Sequence, residues 1–557
     1  MNPKLVLFFL LVTLLAELTR SQIASIQLEE LSAEKLKNMI SKGAKCTDFI
    51  KMFLDRIQSI DSNRINSIIT INKLAINEAK ALDEFYEKNA KFIGRLHCVP
   101  VLVKDNIDVK NIATTGGMKV FRNSVPSVDS TVVKRLREQG AIVIAKTNMA
   151  EFATGTEDCE MGGLCKNPFD ATRTCGPSST GSGAALASLF GLIALGTDTL
   201  GSTMNPAAYD GLFGIRPAQD EIELEGIMPL FKKQDTPCPL AKTADDLALT
   251  YFTMANKLDK LDAYSSPFVK PPGELKVSTV TNFLNDFEIF AGFTKLTYTL
   301  DPAIKSELLN TVANMKKLNV QVVEQTMSET QFNEFKTKVA DVAMQQLLGC
   351  DQKCLKLNLN KYLNNAARFE VDSAYNSFDE LVDSPLLSLT FQNLFSSADS
   401  KSTTLEDDCT KACAGYDTAK KALKDFMLKL FDNGVDGVLL PTTGNVAYEM
   451  GKPSSGNIIG ANLLAPYTGL ASINLPVNFT KPSANAPKGL PIGNLLLTTS
   501  DKLFNCIKLA KYYETAFIKP KLAAYAPAIS GQWFRANENS SSLLRAFGNT
   551  LELYKLG

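Results

Sequence analysis

The residue types that could do chemistry in this chain are serines and a lysine. The 557-residue sequence has a single histidine, His97, and contains no GxSxG segment. A hydrolase of the Ser-His-acid type needs a histidine base, and a histidine-rich metal site is excluded with one histidine. Ser202 ends a glycine turn in the segment GTDTLGSTMNP, residues 196–206. A serine nucleophile activated by a lysine therefore remains as a physically reasonable chemistry.

Lys104 is the lysine to consider because it follows the short apolar run PVLV, which is typical of a buried strand. A lysine acts as a base only when its amine is neutral, and burial favours the neutral form by lowering the pKa. On composition alone, the alternative is an ordinary lysine exposed to solvent. The surrounding segments decide between the two.

Three segments together resemble the amidase signature family: VPVLVKDNIDV (99–109), TCGPSSTGSGAA (174–185) and GTDTLGSTMNPAAYDGLFGIRP (196–217). The resemblance covers roughly residues 28–525 and is weakest in the middle. The overall pattern is most similar to the fatty-acid amide hydrolase-like branch of the family. It implies an enzyme that cleaves a small-molecule amide, with a hydrophobic acyl amide as the expected substrate, and it implies no cofactor and no metal.

The resemblance also implies a Ser-Ser-Lys triad. The family separates its two catalytic serines by 24 residues, and Ser178 and Ser202 are 24 residues apart. Ser202 then corresponds to the nucleophile, Ser178 to the bridging serine and Lys104 to the base. Ser179 is expected to assist by hydrogen bonding, and the family has a cis peptide bond at the bridging serine.

The family forms its oxyanion hole from backbone N–H groups that map to Thr199, Leu200, Gly201 and Ser202. Thr197 and Asp198 are expected to hold this turn rather than to touch the substrate. The family usually has Gly-Gly-Ser where this chain has Leu-Gly-Ser. A leucine at positive φ costs on the order of 1–2 kcal/mol, so the backbone angle at Leu200 decides whether the donors survive. Leucine here would also narrow the pocket.

Further positions depart from the family pattern at Pro177, Thr180, Met204 and Asp210. Proline precedes the bridging serine, and Thr180 adds bulk where the backbone usually approaches closely. Met204 replaces a frequent arginine, which fits a pocket without an anchor for a carboxylate. These changes keep an alternative open, namely a catalytically silent amidase-fold protein that acts as a secreted binding or structural component.

The amino terminus predicts a signal peptide over residues 1–21, with Lys4 before the apolar run Leu5–Ala16. A membrane anchor is the alternative, but the run is shorter than the about 20 residues that a span needs. We therefore expect a secreted or lumenal protein with no transmembrane span after cleavage. Two sequons, at Asn478 and Asn539, are candidates for glycosylation.

Eleven cysteines, an odd number, leave at least one thiol without an intramolecular partner. The segments CDQKC and CTKAC each space two cysteines by four residues, which places each pair on one face of a helix. Antiparallel helices with this spacing predict two disulfides, Cys350 with Cys413 and Cys354 with Cys409. Four cysteines allow three pairings, and a four-thiolate zinc site is the competing interpretation.

The chain has 59 basic and 59 acidic residues, so its charge gives no indication of a nucleic-acid partner. A homodimer is possible. Helical patterns alternate with short apolar runs, which predicts an α/β fold with a mainly parallel sheet. The family resemblance implies the amidase signature fold, with a mixed, largely parallel central sheet covered by helices on both faces. The predicted domain covers residues 22–525 and has a divergent helical middle at about 260–440. A polar tail, 526–557, follows it.

Overall fold

The computed structural model describes residues 28–518, with gaps at 155–156, 158, 266–271, 293, 366–374, 376, 388–390, 393–394, 396–404, 452–456, 459 and 487–488. The predicted signal peptide (1–21), the polar tail (526–557) and Asn539 lie outside the described residues. No helix in the described part of the chain has both the length and the hydropathy needed to cross a bilayer.

The strands of the described residues are, in chain order, β1 (Ile68–Ile71), β2 (Pro100–Lys104), β3 (Ile142–Thr147), β4 (Ile193–Asp198), β5 (Phe213–Arg216), β6 (Thr236–Ala241), β7 (Lys276–Val280), β8 (Phe287–Ala291), β9 (Thr294–Tyr298), β10 (Gln321–Gln325), β11 (Gly437–Pro441), β12 (Asn457–Ile458), β13 (Ala471–Phe479) and β14 (Pro491–Thr498).

Eleven of these strands form one sheet in the order β1-β3-β2-β4-β6-β5-β13-β14-β11-β7-β10. Parallel pairing occurs in two blocks, β3-β2-β4 and β11-β7-β10. The strands between the blocks pair antiparallel, and β1 pairs antiparallel with β3 at one edge. Strands β8, β9 and β12 form a separate three-stranded sheet. The predicted α/β fold with a mixed central sheet is confirmed.

The α-helices are α1 (Ala33–Ser41), α2 (Cys46–Ile60), α3 (Ala75–Asn89), α4 (Thr131–Glu138), α5 (Thr180–Ala187), α6 (Met204–Tyr209), α7 (Ala244–Met254), α8 (Leu258–Ser265), α9 (Pro302–Lys317), α10 (Glu329–Gln345), α11 (Asp351–Leu363), α12 (Phe378–Val382), α13 (Leu405–Leu428), α14 (Leu464–Thr468) and α15 (Leu503–Phe517).

Both faces of the large sheet are buried under helices. In β14, Leu496 belongs to one cluster of buried apolar side chains, while its neighbours Leu495 and Leu497 belong to another. Successive side chains of a strand point to opposite faces, so the two clusters lie on the two sides of the sheet. Strands buried on both faces explain the short, continuously apolar runs of the sequence.

Disulfides join three pairs of cysteines, and two of these pairs are the predicted Cys350–Cys413 and Cys354–Cys409. The earlier cysteine of the segment CDQKC, Cys350, pairs with the later cysteine of the segment CTKAC, Cys413, and Cys354 pairs with Cys409. Helices α11 and α13 therefore run antiparallel, and they pack together. The four sulfurs are bonded in pairs, which leaves no thiolates for the zinc alternative. The third disulfide, Cys46–Cys98, was not anticipated. Cys159, Cys165, Cys175, Cys238 and Cys506 are buried and take no part in disulfides.

Candidate active site

Lys104 is the last residue of the buried strand β2, and it is fully buried. Its Nζ atom lies 2.8 Å from the Ser178 hydroxyl oxygen. The same nitrogen donates to Thr197 Oγ1 at 2.9 Å and to the Thr197 carbonyl oxygen at 3.4 Å. The exposed alternative for this lysine is therefore wrong, because the parallel neighbours β3 and β4 enclose the end of β2.

Burial dominates the electrostatics of Lys104. Removal from water disfavours the ammonium form and lowers the pKa of Lys104 to about 7, while the nearby Asp198 carboxylate partly opposes this shift. A neutral amine has two N–H groups and one lone pair. Since both Thr197 oxygens can accept those N–H groups, the lone pair is available to the Ser178 hydroxyl.

Ser178 and Ser202 lie on adjacent loops. The Ser179 N–H donates to the Ser202 carbonyl oxygen at 3.0 Å, which joins the residue after Ser178 directly to Ser202. Ser178 is fully buried, and Ser202 retains 9% of its exposure. Among the described residues, nothing hydrogen bonds to the Ser202 hydroxyl, so this oxygen is free to react.

Thr197 is expected to hold the turn, and in the structure it also accepts hydrogen bonds from Lys104. Its hydroxyl accepts from Asn106 Nδ2 at 3.0 Å in addition to Lys104. Its backbone is fixed by Ser179, whose hydroxyl donates to the Thr197 carbonyl at 3.2 Å and accepts from the Thr197 N–H at 3.4 Å. Thr197 is thus held from two sides in the position where it meets the amine.

Asp198 organises the turn that follows β4. Its carboxylate accepts the N–H groups of Gly201 at 2.9 Å and Thr203 at 2.7 Å. The fully buried Arg216 donates to the same carboxylate at 3.0 Å and to the Asp198 carbonyl at 2.6 Å. A carboxylate at the start of a turn commonly captures the N–H groups that follow it, and the guanidinium balances its charge.

The hydrogen bond from the Gly201 N–H to Asp198 corrects one of the four predicted oxyanion donors. The Gly201 N–H is donated to Asp198 and is not directed at a substrate oxygen. The N–H groups of Thr199, Leu200 and Ser202 make no hydrogen bonds with the part of the chain that the structure describes. Three of the four proposed donors therefore remain available.

Leu200 does not strain the turn. The positive φ of the Leu-Gly-Ser segment lies at Gly201, at 86°, and Leu200 is not among the non-glycine residues with positive φ. Glycine is thus retained at the position that needs it. Leu200 is half-buried against the apolar cluster of Phe231 and lines the cavity beside the turn.

The Pro177–Ser178 peptide bond is cis, and Pro177 lines the same cavity as Leu200. Thr180 is buried at the first turn of α5. The close backbone approach in this loop is made by Gly181, where a Cβ atom would collide with the backbone of Asn148. The threonine is therefore tolerated because the neighbouring glycine remains.

Met204 and Asp210 both lie in the interior. Met204 is fully buried in an apolar cluster and packs near Gly214, and it is not among the residues that line the cavity. Asp210 accepts a hydrogen bond from Asn167 Nδ2 at 3.2 Å. Its burial raises the pKa of this carboxyl well above its usual range, which favours the protonated acid.

His97 has no part in this site. Its ring packs against Phe92 and Tyr86, and its Nδ1 accepts the Ile93 N–H at 3.3 Å. Burial lowers the pKa of His97 to about 4. The histidine is a neutral core residue.

A cavity of about 170 Å³ adjoins the Ser202 turn. Pro177 and Leu200 contribute to its lining, and the segment after β11 contributes Thr443, Asn462 and Leu463. This carboxyl-terminal contribution was not anticipated, because residues so distant in sequence meet only through the order of the strands. Asn106 was missed too, although it stands two positions after Lys104 in the segment KDN.

The amidase family model matches residues 48–500 of the chain. A glutamyl-tRNA(Gln) amidotransferase subunit of Fusobacterium nucleatum subsp. nucleatum is 34% identical over 312 residues, which are 55% of this chain and 62% of that protein. The corresponding protein of Archaeoglobus fulgidus is 38% identical over 226 residues, 40% of this chain and 48% of its own length. The chain thus spans between about half and just under two thirds of these relatives.

Solved structures show the same fold. The native peptide amidase from Stenotrophomonas maltophilia is 22% identical with a TM-score of 0.67, covering 89% of this chain and 99% of that one. The 6-aminohexanoate cyclic dimer hydrolase complexed with substrate is 18% identical with a TM-score of 0.66, covering 90% and 100%. At these identities the likeness concerns the architecture alone.

Proposed function

This chain belongs to the amidase family, and on that premise we propose that it hydrolyses a carboxylic amide bond through Ser202, Ser178 and Lys104. The observation that carries the proposal is the fully buried Lys104 amine 2.8 Å from the Ser178 hydroxyl. A lysine held without water beside a serine is poised to accept a proton near neutral pH, because its pKa is lowered to about 7.

In the proposed reaction, neutral Lys104 accepts the proton of Ser178 as Ser178 accepts the proton of Ser202. The Ser202 oxygen attacks the amide carbonyl carbon, and the N–H groups of Thr199, Leu200 and Ser202 stabilise the resulting oxyanion. The proton returns through Ser178 to the leaving nitrogen, the C–N bond breaks and the amine departs. Water then attacks the acyl-enzyme by the same relay, which releases the carboxylic acid and restores Ser202.

The acyl group of the substrate is proposed to be hydrophobic. Support comes from Pro177, Leu200 and Leu463, which contribute apolar side chains to the lining of the cavity. Hydrolysis of 4-methylpentanamide compared with acetamide tests this point, and faster turnover of acetamide would contradict it.

A catalytically silent protein is the second candidate, and one observation favours it. The Gly201 N–H is engaged by Asp198, and removing one oxyanion donor lowers the rate by about 10²–10³ in serine hydrolases. The three remaining donors and the contact between Lys104 and Ser178 support the enzyme.

We further propose an oxidising compartment, secreted or lumenal. Three disulfides support it, since such bonds persist mainly outside the cytosol. Asn478 is exposed on β13 and would be accessible to glycosylation. The amidotransferase role of the curated relatives is not carried over, because the shared segments cover only part of those proteins.

The deciding experiment is labelling with a fluorophosphonate, followed by peptide mass spectrometry. We expect an adduct on Ser202 in the wild type, none in Ser202→Ala, and strongly slowed labelling in Lys104→Ala. Ser59→Ala, which removes an exposed helical serine, is the matched control and should label normally. Folded wild-type protein that never labels would support the silent candidate, and an adduct on another serine would overturn the assigned nucleophile.

A further inference from the structure

The cavity beside Ser202 has polar lining residues that the proton relay does not use. They include Asn205, Tyr209, Tyr448 and Asn462. Its volume of about 170 Å³ is below the roughly 300–1,000 Å³ of pockets that hold drug-sized ligands. The described cavity therefore suits a compact group with hydrogen-bonding atoms.

Asn205 stands one helical turn after the nucleophile. Its N–H donates to the Gly201 carbonyl at 2.8 Å, which fixes its backbone to the Ser202 turn. Asn205 and Leu200 line the same cavity, and Leu200 carries one of the proposed oxyanion N–H groups, so Asn205 borders the space proposed for the substrate carbonyl.

Asn462 fixes the orientation of the Asn205 side chain. The buried Asn462, only 4% exposed, donates its Nδ2–H to Asn205 Oδ1 at 2.6 Å. Its own N–H is bonded to the Thr442 carbonyl at 3.2 Å, so this contact is anchored at the end of β11. With Oδ1 occupied, Asn205 offers its amide nitrogen to the cavity.

That nitrogen is available to a ligand. Among the described residues, Asn205 Nδ2 makes no hydrogen bond, and it is not one of the buried side-chain atoms that lack a partner. It is therefore a half-buried donor at the cavity surface. The phenol of Tyr209 is a second hydrogen-bond donor in the lining of the cavity, because burial raises the pKa of Tyr209 and keeps its O–H protonated.

We propose that Asn205 is a specificity-determining residue that donates a hydrogen bond to a second carbonyl oxygen of the substrate. The preferred substrates are then compact amides with another amide close to the scissile one, as in an N-acylated amino-acid amide, rather than simple alkyl amides. This inference rests on the proposed amide hydrolysis and deepens it. A hydrophobic side chain of such a substrate can still lie against Leu200.

The test compares two matched primary amides, N-acetyl-leucinamide and 4-methylpentanamide, which differ only in the acetamido group. Ammonia release gives kcat/KM for each, and we expect the wild type to prefer N-acetyl-leucinamide. Two variants remove the donor in different ways. Asn205→Asp keeps an oxygen for Asn462, and Asn205→Leu adds no charge. Losing one neutral hydrogen bond should reduce the preference by about 3- to 10-fold in both variants.

Asn310→Leu, on the exposed face of α9, is the matched control and should keep the wild-type preference. Fluorophosphonate labelling of Ser202 in each variant separates a damaged nucleophile from altered selectivity. A wild type without preference, or variants that slow both amides equally, would overturn the inference.

If the wild type neither labels nor turns over either amide, the proposed function fails on its own. Calorimetric binding of the same two amides to wild type and both Asn205 variants then decides the inference. Tighter binding of N-acetyl-leucinamide that both variants lose supports it, and equal or undetectable binding of the two amides refutes it.

Discussion

At the scale of single residues, the chemistry depends on how Thr197 uses the hydrogens of Lys104. Two oxygens of one threonine lie 2.9 and 3.4 Å from the amine. They can accept both N–H groups of the neutral amine, and the lone pair of the nitrogen can then face the Ser178 hydroxyl. The ammonium form would find acceptors for all three of its hydrogens in the same place. The site therefore accommodates the lysine before and after proton transfer.

The lowered pKa of Lys104 predicts a specific pH dependence. Below its pKa of about 7 the amine is protonated and cannot accept a proton, so kcat/KM should rise between about pH 6 and 8 and then level off. Initial rates with N-acetyl-leucinamide, or labelling rates at Ser202, give the profile. A flat profile from pH 6 to 10 would contradict a lysine base.

A stability measurement provides an independent control of the same pKa. The unfolded lysine has a pKa of about 10.4, so at pH 7 folding must remove a proton from a group that is charged when unfolded. Stability of the wild type relative to Lys104→Met should therefore increase as pH rises from 7 to 10. Denaturant titrations at several pH values reveal this trend even if the protein has no activity.

Thr197→Val tests the positioning role. The variant keeps the shape of the side chain but leaves Lys104 and Asn106 without their shared acceptor. We expect kcat to fall on the order of 10-fold or more, and the rising limb of the pH profile to move to lower pH because the ammonium form loses a hydrogen bond. Thr197→Ser keeps the acceptor and should restore both properties. A loss of kcat with an unmoved limb would indicate a purely structural role.

At the scale of elements, the antiparallel pair α11 and α13 is held by two disulfides within one turn of helix. They close loops with sequence separations of 63 and 55 residues. Cross-links across long loops act mainly by limiting the unfolded state. The pair contributes little to the proton relay, whose residues come from the end of β2, the loop before α5 and the turn after β4.

Replacing all four of these cysteines by serine should lower the free energy of unfolding by about 2–5 kcal/mol while leaving Ser202 labelling at 25 °C close to wild type. Denaturant unfolding with and without reductant measures the first effect. Cys506→Ala, which removes a buried thiol outside the disulfides, is the control and should respond to reductant as the wild type does. A variant as stable as the wild type would show that the two disulfides do not stabilise the fold.

Local sequence predicted the elements that carry the site but not their partners. The apolar runs ending at Lys104 and Asp198 are strands, and the cysteine spacing predicts two disulfides, because these patterns are repeated within a few residues. The Cys46–Cys98 bond joins a helix start to a loop and has no such periodicity. The Lys104–Thr197 contact depends on β2 lying beside β4, which no single segment specifies. The two proposed catalytic serines could be assigned only because their spacing matches that of the family the chain resembles.

At the scale of the whole molecule, the large sheet places two distant parts of the chain around one cavity. The relay lies between residues 104 and 202, on one side of the sheet order. The segment 442–463 follows β11, four strands beyond β6 in that order, and supplies Thr443, Asn462 and Leu463. The strands that lie between the two parallel blocks are β6, β5, β13 and β14. They connect these two parts of the sheet and fix their relative positions.

This arrangement has a consequence for how such proteins can diversify. The groups that move protons and the groups that line the far side of the cavity are encoded in separate stretches of the gene. Substitutions after β11 can therefore change which molecules are admitted while the reactive apparatus is inherited intact. Recombination that exchanges the carboxyl-terminal stretch between relatives would produce new selectivities in a single step.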